Sequence, residues 1–216
     1  MKVTLLACTP GGDKLAGEAA ATCYRAKDPE KSLGLTLKSG HESVIEHVSF
    51  TFRLEGVSRA LLAQLTRHRI ASFSVQSQRY CDLGEMPLVI PESIRRDENM
   101  MIAWEAVAQK IRGFYRYAVD NGIPKEDARY MTPQAAETTI VVTMNARELK
   151  HFFSLRCCNR AQWEIRQAAD EMLKICKEKC PVIFKNAGPG CVNGRCEEGR
   201  PCGKPRNGES LFGKDG

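Results

Sequence analysis

No hydrophobic core can absorb the fourteen residues from Arg67 to Tyr80. The stretch Arg67-His68-Arg69-Ile70-Ala71-Ser72-Phe73-Ser74-Val75-Gln76-Ser77-Gln78-Arg79-Tyr80 holds three arginines, a histidine, three serines and two glutamines. Arginine is rarely buried without a partner. Whatever fold the chain adopts must therefore bring this segment to a surface or a cleft. Guanidinium forks beside hydroxyls suit a phosphorylated ligand, because they offer several charge-assisted hydrogen bonds in fixed directions. A solvated basic loop is the plainer alternative.

The neighbouring residues place the stretch. From His47 to Leu54, Val48, Phe50, Phe52 and Leu54 alternate with polar residues, the period of a strand with one buried face. Gly56 is expected to end it. From Val57 to Arg69 the period lengthens to that of a helix, with Val57, Leu61, Gln64, Leu65 and His68 on one face. The second half of the basic stretch reads as extended or as a loop. If extended, Ser77 and Arg79 point the same way.

Elsewhere, Met1 to Cys8 reads as a first strand, Gly17 to Arg25 as a short alanine-rich helix, and Ser32 to Lys38 as one or two further turns. Glu92 to Asn121 reads as one long helix closed by Asn121-Gly122, and Pro124 opens a short one. Thr138 to Met144 is a β-branched strand. Asn145 and Glu148 stand as a capping box for the helix that follows. On that helix Arg147, His151 and Leu155 share a face, with Phe152 and Arg156 beside it. A second helix is expected from Asn159 to Lys179, stopped by Cys180-Pro181.

With 216 residues, the chain has length for one well-buried domain and a tail: 1–187, then a Gly/Pro/Cys-rich stretch over 188–216. The net charge of +6 favours anionic partners. No polybasic block of the kind that holds nucleic acid nonspecifically is present, and no apolar run is long enough to span a bilayer. The N-terminus is too soon broken by Pro10-Gly11-Gly12 to serve as a signal peptide, so the expected location is the cytoplasm. Ten cysteines without such a signal point to free thiols or a metal rather than disulfides. Cys180, Cys191, Cys196 and Cys202 are candidate zinc ligands, although their spacing fits no standard finger; a flexible tail with reduced thiols is the alternative. His41 and His47 would lie about 240° apart on a helix, which rules out a shared ion without a break.

Arg67-His68-Arg69, seven residues, then Ser77 resembles the signature of the flavin-dependent thymidylate synthases, and Ser72, Arg79 and Tyr80 also stand where that family has them. Ser74-Val75 replaces the Asn-Glu of many members. Three further blocks resemble the family in order: His41-Glu42-Ser43-Val44-Ile45-Glu46-His47, Pro124 to Pro133 around Arg129, and Asn145-Ala146-Arg147 continuing to Leu155-Arg156 and Ala161-Gln162-Trp163-Glu164-Ile165. The resemblance implies an α+β fold, an antiparallel sheet with long helices packed on it. It also implies a homotetramer with active sites shared between subunits, and reductive methylation of dUMP to dTMP. FAD would be the bound cofactor, methylenetetrahydrofolate the carbon donor and NADPH the reductant. By the same resemblance Arg156 is the activating residue. Gln64, Leu65, Thr66, Arg67, Val75, Gln76, Ser77, Gln78, Arg79, Arg129 and Arg156 would bind dUMP. Ser43, Arg67, His68, Arg69, Val75, Asn145, Arg147 and His151 would bind FAD.

Two other readings compete: a nucleic-acid-binding module built on the arginine stretch, and a flavoprotein that only carries electrons. Cys157 and Cys158, beside Arg156, tempt a further reading, a cysteine nucleophile of the flavin-free thymidylate synthases. The surrounding blocks favour the family in which no enzyme thiol attacks.

Overall fold

A computed structural model describes residues 1–207; positions 208–216 of the expected tail lie outside the described residues. The fold is α+β. Its four strands are β1 (Lys2–Cys8), β2 (Ser49–Ser58), β3 (Ala71–Val75) and β4 (Glu137–Asn145), in the order β1-β2-β4-β3. Each pairing is antiparallel. The end of β1 meets the start of β2 through Thr9 N–H donating to Ser49 O at 3.0 Å. Thr51, early in β2, bonds Thr143, late in β4, at 2.9 Å. Just past β3, Gln76 N–H donates to Thr139 O at 2.9 Å.

Helices α1 (Gly12–Tyr24), α2 (Pro29–Lys38), α3 (Arg59–Leu65), α4 (Glu92–Arg95), α5 (Glu98–Asp120), α6 (Lys125–Ala128), α7 (Ala146–Arg156) and α8 (Trp163–Lys179) complete the described elements, with 3-10 turns at Ser43–His47, Arg129–Met131 and Gly190–Asn193. The residues divide into two compact units. One comprises Met1–Leu54, Leu65–Phe73 and the chain from Val141 onward; the other comprises Glu55–Gln64 and Ser74–Ile140.

In the first unit, the inward residues of the alternating strand, Val48, Phe50, Phe52 and Leu54, are fully buried. Phe184 stands edge-on to Phe50 and Phe153, with ring centroids 5.6 and 6.0 Å away. The apolar stripe of α8, Ile165, Ala168, Ala169, Met172, Leu173 and Cys176, is also buried. Helix α1 starts earlier than its alanine run announces. A β-carbon on Gly12 would sit 2.7 Å from Cys180 Sγ and 2.8 Å from a Val48 methyl, so only glycine admits this approach. The Asp13 carboxylate accepts hydrogen bonds from the backbone N–H groups of Val182 and Ile183.

Residues 188–207 have little regular structure, yet they are docked. Arg206, 8% exposed, donates to Cys157 O at 2.7 Å and to Asp170 at 2.9 Å. Asn159 donates to Lys204 O and Arg160 to Arg200 O.

The second unit has its own core of Met86, Tyr115, Ala118, Ala128 and Ala136, flanked by Leu83, Leu88, Ile111 and Val119. A bridge between Leu88 and Ala136 ties its loop to the entry of β4.

Several boundaries differ from expectation for local reasons. Strand β2 continues through Gly56, which takes φ +65°, a left-handed conformation that glycine tolerates, and ends two residues later. Helix α3 stops at Leu65, and His68 follows it in a turn closed by His68 N–H to Leu65 O. The single helix expected over 92–121 is two, α4 and α5. Asp97 takes an extended conformation between them, and its side chain caps Met100 N–H. Helix α8 begins at Trp163 rather than Asn159, because the Gln162 side chain accepts from the N–H groups of Glu164 and Ile165.

Truncating the aromatic hub at Phe184→Ala is expected to cost about 3–5 kcal/mol. It would be read as a lower urea midpoint with an unchanged slope of the transition.

Candidate active site

The residues singled out in the sequence fall into two groups, one in each unit. In the first unit, Asn145 ends β4 and caps α7, accepting from Glu148 N–H at 2.9 Å. Half of the expected capping box is present. The Glu148 carboxylate does not return to the cap; it accepts from His68 Nδ1 at 2.9 Å, with both side chains buried. The other ring nitrogen, Nε2, accepts from Arg156 Nε at 3.2 Å.

A carboxylate can only accept and a guanidinium can only donate. The two partners therefore assign His68 as the neutral ring with its proton on Nδ1. Burial is the largest influence on its basicity and lowers its pKa below 6.5; the bond to Glu148 opposes this, and the nearby positive charge of Arg156 adds to the lowering. Arg156 is half-buried, and its pKa is lowered by burial first and then by the charge of Arg67. It remains a cation at neutral pH because guanidinium starts so high.

Glu148 also lines a cleft of about 780 Å3, together with Asn145, Arg147, Lys150, His151 and the carboxylates Glu42, Glu46 and Glu197. That volume is within the range of small-molecule sites. Arg147 pairs with Glu46 and Lys150 with Glu42. The His151 ring stands edge-on to His68 at 5.8 Å. Ser43 opens the 3-10 turn at Ser43–His47; Ser43, Thr66, Arg67 and Arg69 are exposed, and Leu65 is buried.

In the second unit, Ser77 begins a turn rather than continuing the strand. Cys81 N–H donates to Ser77 O at 3.0 Å, and Arg79 N–H to Ser77 Oγ at 3.2 Å. The shared direction expected of Ser77 and Arg79 in a strand is thus replaced by a turn that joins them directly. The Arg79 guanidinium pairs with Glu126 at 2.7 Å, and both are about half exposed. Gln78 is buried. Its carbonyl accepts from Arg59 at 3.0 Å and its amide donates to Thr132, whose hydroxyl bonds Arg129 O. Burial, and then the charge of Arg129, lowers the pKa of Arg59. Gln64 and Val75 are partly buried and Gln76 is exposed.

Sequence reasoning passed over three contributors. Glu148 was legible only as a cap residue, Lys150 carried no motif, and Arg59 preceded the basic stretch.

Cys157 is fully buried. Burial and then the neighbouring Asp170 push its thiol well above 9. Such a thiol is a poor nucleophile. Among the described residues no three His, Cys, Asp or Glu side chains gather as a metal site. Cys180 is buried at the end of α8, whereas Cys196 and Cys202 are exposed. No described helix is long and apolar enough to cross a membrane.

The first unit thus holds a buried carboxylate–imidazole pair bonded to a half-buried guanidinium, beside a cleft lined by paired cations and carboxylates. The family model described as thymidylate synthase complementing protein matches residues 4–182. The chain is 48% identical to a flavin-dependent thymidylate synthase of Geobacter sulfurreducens, over 98% of both chains. It is 44% identical to the enzyme of that name from Clostridium tetani, over 98% of this chain and 97% of that one. For the one from Pyrococcus furiosus the identity is 47%, over 79% and 74%. The chain belongs to the flavin-dependent thymidylate synthase family.

Two outcomes are expected. In the native protein at pH 8, iodoacetamide modifies Cys23, Cys196 and Cys202 but reaches Cys157 only after unfolding, as read by peptide mapping. Because the folded state lowers the pKa of His68, its stabilising contribution is complete above 6.5 and is lost as pH falls through the folded value. Urea midpoints measured downward from pH 7 should therefore fall, and less steeply in His68→Gln.

Proposed function

We propose that this chain converts dUMP to dTMP, with bound FAD, methylenetetrahydrofolate as carbon donor and NADPH as reductant. The observation that carries the reading is Arg156, a guanidinium drawn partly out of water, directed by His68 and repelled by Arg67. Methylation at C5 of uracil requires electron density at that carbon, with negative charge on N3 and O4. A guanidinium cannot serve as the base that creates this charge, but it stabilises it, and more strongly where water is excluded.

The first cleft offers donors for the proposed flavin, although Arg147 and Lys150 would have to exchange Glu46 and Glu42 for it. Arg147 and Lys150 are cations suited to its phosphates; Asn145 and His151 add hydrogen-bonding groups, with Ser43, Arg67, His68, Arg69 and Val75 completing the proposed contacts. When bound, the flavin supplies hydride chemistry, and the protein supplies position and field. Arg79, Ser77, Arg129, Gln64 and Arg67 would neutralise and orient the nucleotide. The neighbouring Leu65, Thr66, Val75, Gln76 and Gln78 would contribute through backbone groups, since the Gln78 side chain is already committed to Arg59 and Thr132. Arg79 would exchange Glu126 for the incoming phosphate.

Residues 1–187 would form the synthase domain and 188–216 its tail, in a cytoplasmic homotetramer with shared active sites. Met100, Val107, Phe114 and Tyr117, exposed at helical spacing along α5, support assembly.

The test combines the visible spectrum with turnover. A yellow protein, bleached by NADPH, that forms dTMP only with dUMP and methylenetetrahydrofolate is expected. A yellow protein that forms no dTMP favours an electron carrier. A colourless one with salt-dependent affinity for polynucleotide favours the nucleic-acid reading. Arg156→Ala should retain flavin but lose roughly 100- to 1,000-fold in kcat. Cys157→Ala with Cys158→Ala should leave turnover largely intact.

A further inference from the structure

The proposed role of Arg156 leaves Glu148 without a part in the reaction and gives His68 only a contact with the flavin. We infer that Glu148, acting through His68, is a positioning pair that sets the direction of the Arg156 guanidinium toward the pyrimidine. This rests on the proposed role of Arg156.

Three observations carry it. The three side chains are in line, with Glu148 Oε1 2.9 Å from His68 Nδ1 and His68 Nε2 3.2 Å from Arg156 Nε. The first two are buried, at 8% and 4% exposure, so water does not substitute for either partner. Both ends of the imidazole are chemically one-sided: the carboxylate demands a proton on Nδ1, which leaves Nε2 as the bare acceptor that an arginine N–H needs. A histidine in the opposite tautomer would present N–H to N–H and release Arg156.

The packing holds this geometry. Glu148 is fixed by the Asn145 cap on its own N–H. The ring of His68 is braced edge-on by Phe152 at 5.0 Å and by His151 at 5.8 Å. The groups that govern its charge are therefore Glu148, Arg156 and His151, with Arg67 acting on Arg156. Protonation of His68 would remove the acceptor and set an imidazolium against the guanidinium. Glu148 favours the protonated ring, so deleting its carboxylate moves His68 protonation to lower pH. The acid limb of kcat follows.

Nitrogen-15 NMR of histidine-labelled wild-type protein at neutral pH, assigned with His68→Gln, reads the tautomer without turnover. A proton on Nδ1 and a bare Nε2 are expected. A proton on Nε2, or on both nitrogens, overturns the inference whatever the enzyme's activity.

Kinetics of Glu148→Leu and Glu148→Gln supply the second arm. Because misdirecting a reacting group by a fraction of an ångström is costly, Glu148→Leu should lose roughly 10- to 100-fold in kcat, with KM for dUMP and flavin content little changed. Glu148→Gln, which still offers an acceptor to Nδ1–H, should recover most of kcat while its acid limb moves to lower pH. An unshifted acid limb, an unaltered kcat in Glu148→Leu, or a loss confined to KM or flavin content overturns the inference. If Glu148→Leu does not fold, the acid limb of Glu148→Gln and the tautomer decide. Wild-type protein that makes no dTMP defeats the synthase reading alone, and the tautomer still judges the pair.

Discussion

An arginine drawn partly out of water, as Arg156 is, cannot be buried without something to hold it. Much of the first unit answers that constraint. The cap at Asn145 starts α7 and fixes Glu148 on its first turn, and the same helix ends on Arg156. The turn after α3 brings in His68 to join the helix's two ends. A neutral imidazole is the appropriate link, since it is polar enough to be directed by a carboxylate and uncharged enough to approach a guanidinium. Beneath it, Phe152, Phe153, Phe50 and Phe184 form the apolar floor that keeps water away.

The second unit solves a different problem, keeping several cations close together. Arg79 is held by Glu126, and Arg59 is held by Gln78. Gln78 also reaches Thr132, which bonds the backbone of Arg129. The glutamine thus serves as internal scaffolding between two repelling guanidinium groups. A residue of the signature can be essential to the binding surface without presenting its side chain there.

The sequence made some of this visible and hid the rest for physical reasons. Alternation over 47–54 and β-branching over 138–144 are periodic signals spread across many residues, and both strands appear where those signals lie. The cap at Asn145 is a local signal and also holds. Boundaries decided by a single residue fall elsewhere than the periodicity places them: Asp97 dividing α4 from α5, Gln162 delaying α8, and Gly56 letting β2 run on. The partner of Glu148 was illegible, because nothing near position 148 distinguishes a carboxylate that returns to its cap from one that reaches a histidine eighty positions away. The tail is a further case, docked over its described residues 188–207. Its glycines and prolines argue against regular structure, and composition alone cannot separate irregular chain that is loose from irregular chain that is docked.

Docking of the tail changes where damage to it would be felt. Asp170 sits in the middle of α8, and burial already raises its pKa, with Arg206 as the chief opposing influence. Arg206 also carries the carbonyl of Cys157, the first residue past Arg156. A chain shortened ahead of Arg206 would take from the Asp170 carboxylate its chief cationic neighbour and from the Cys157 carbonyl its donor. A trimming meant to tidy a terminus would in effect be an operation on the end of α7.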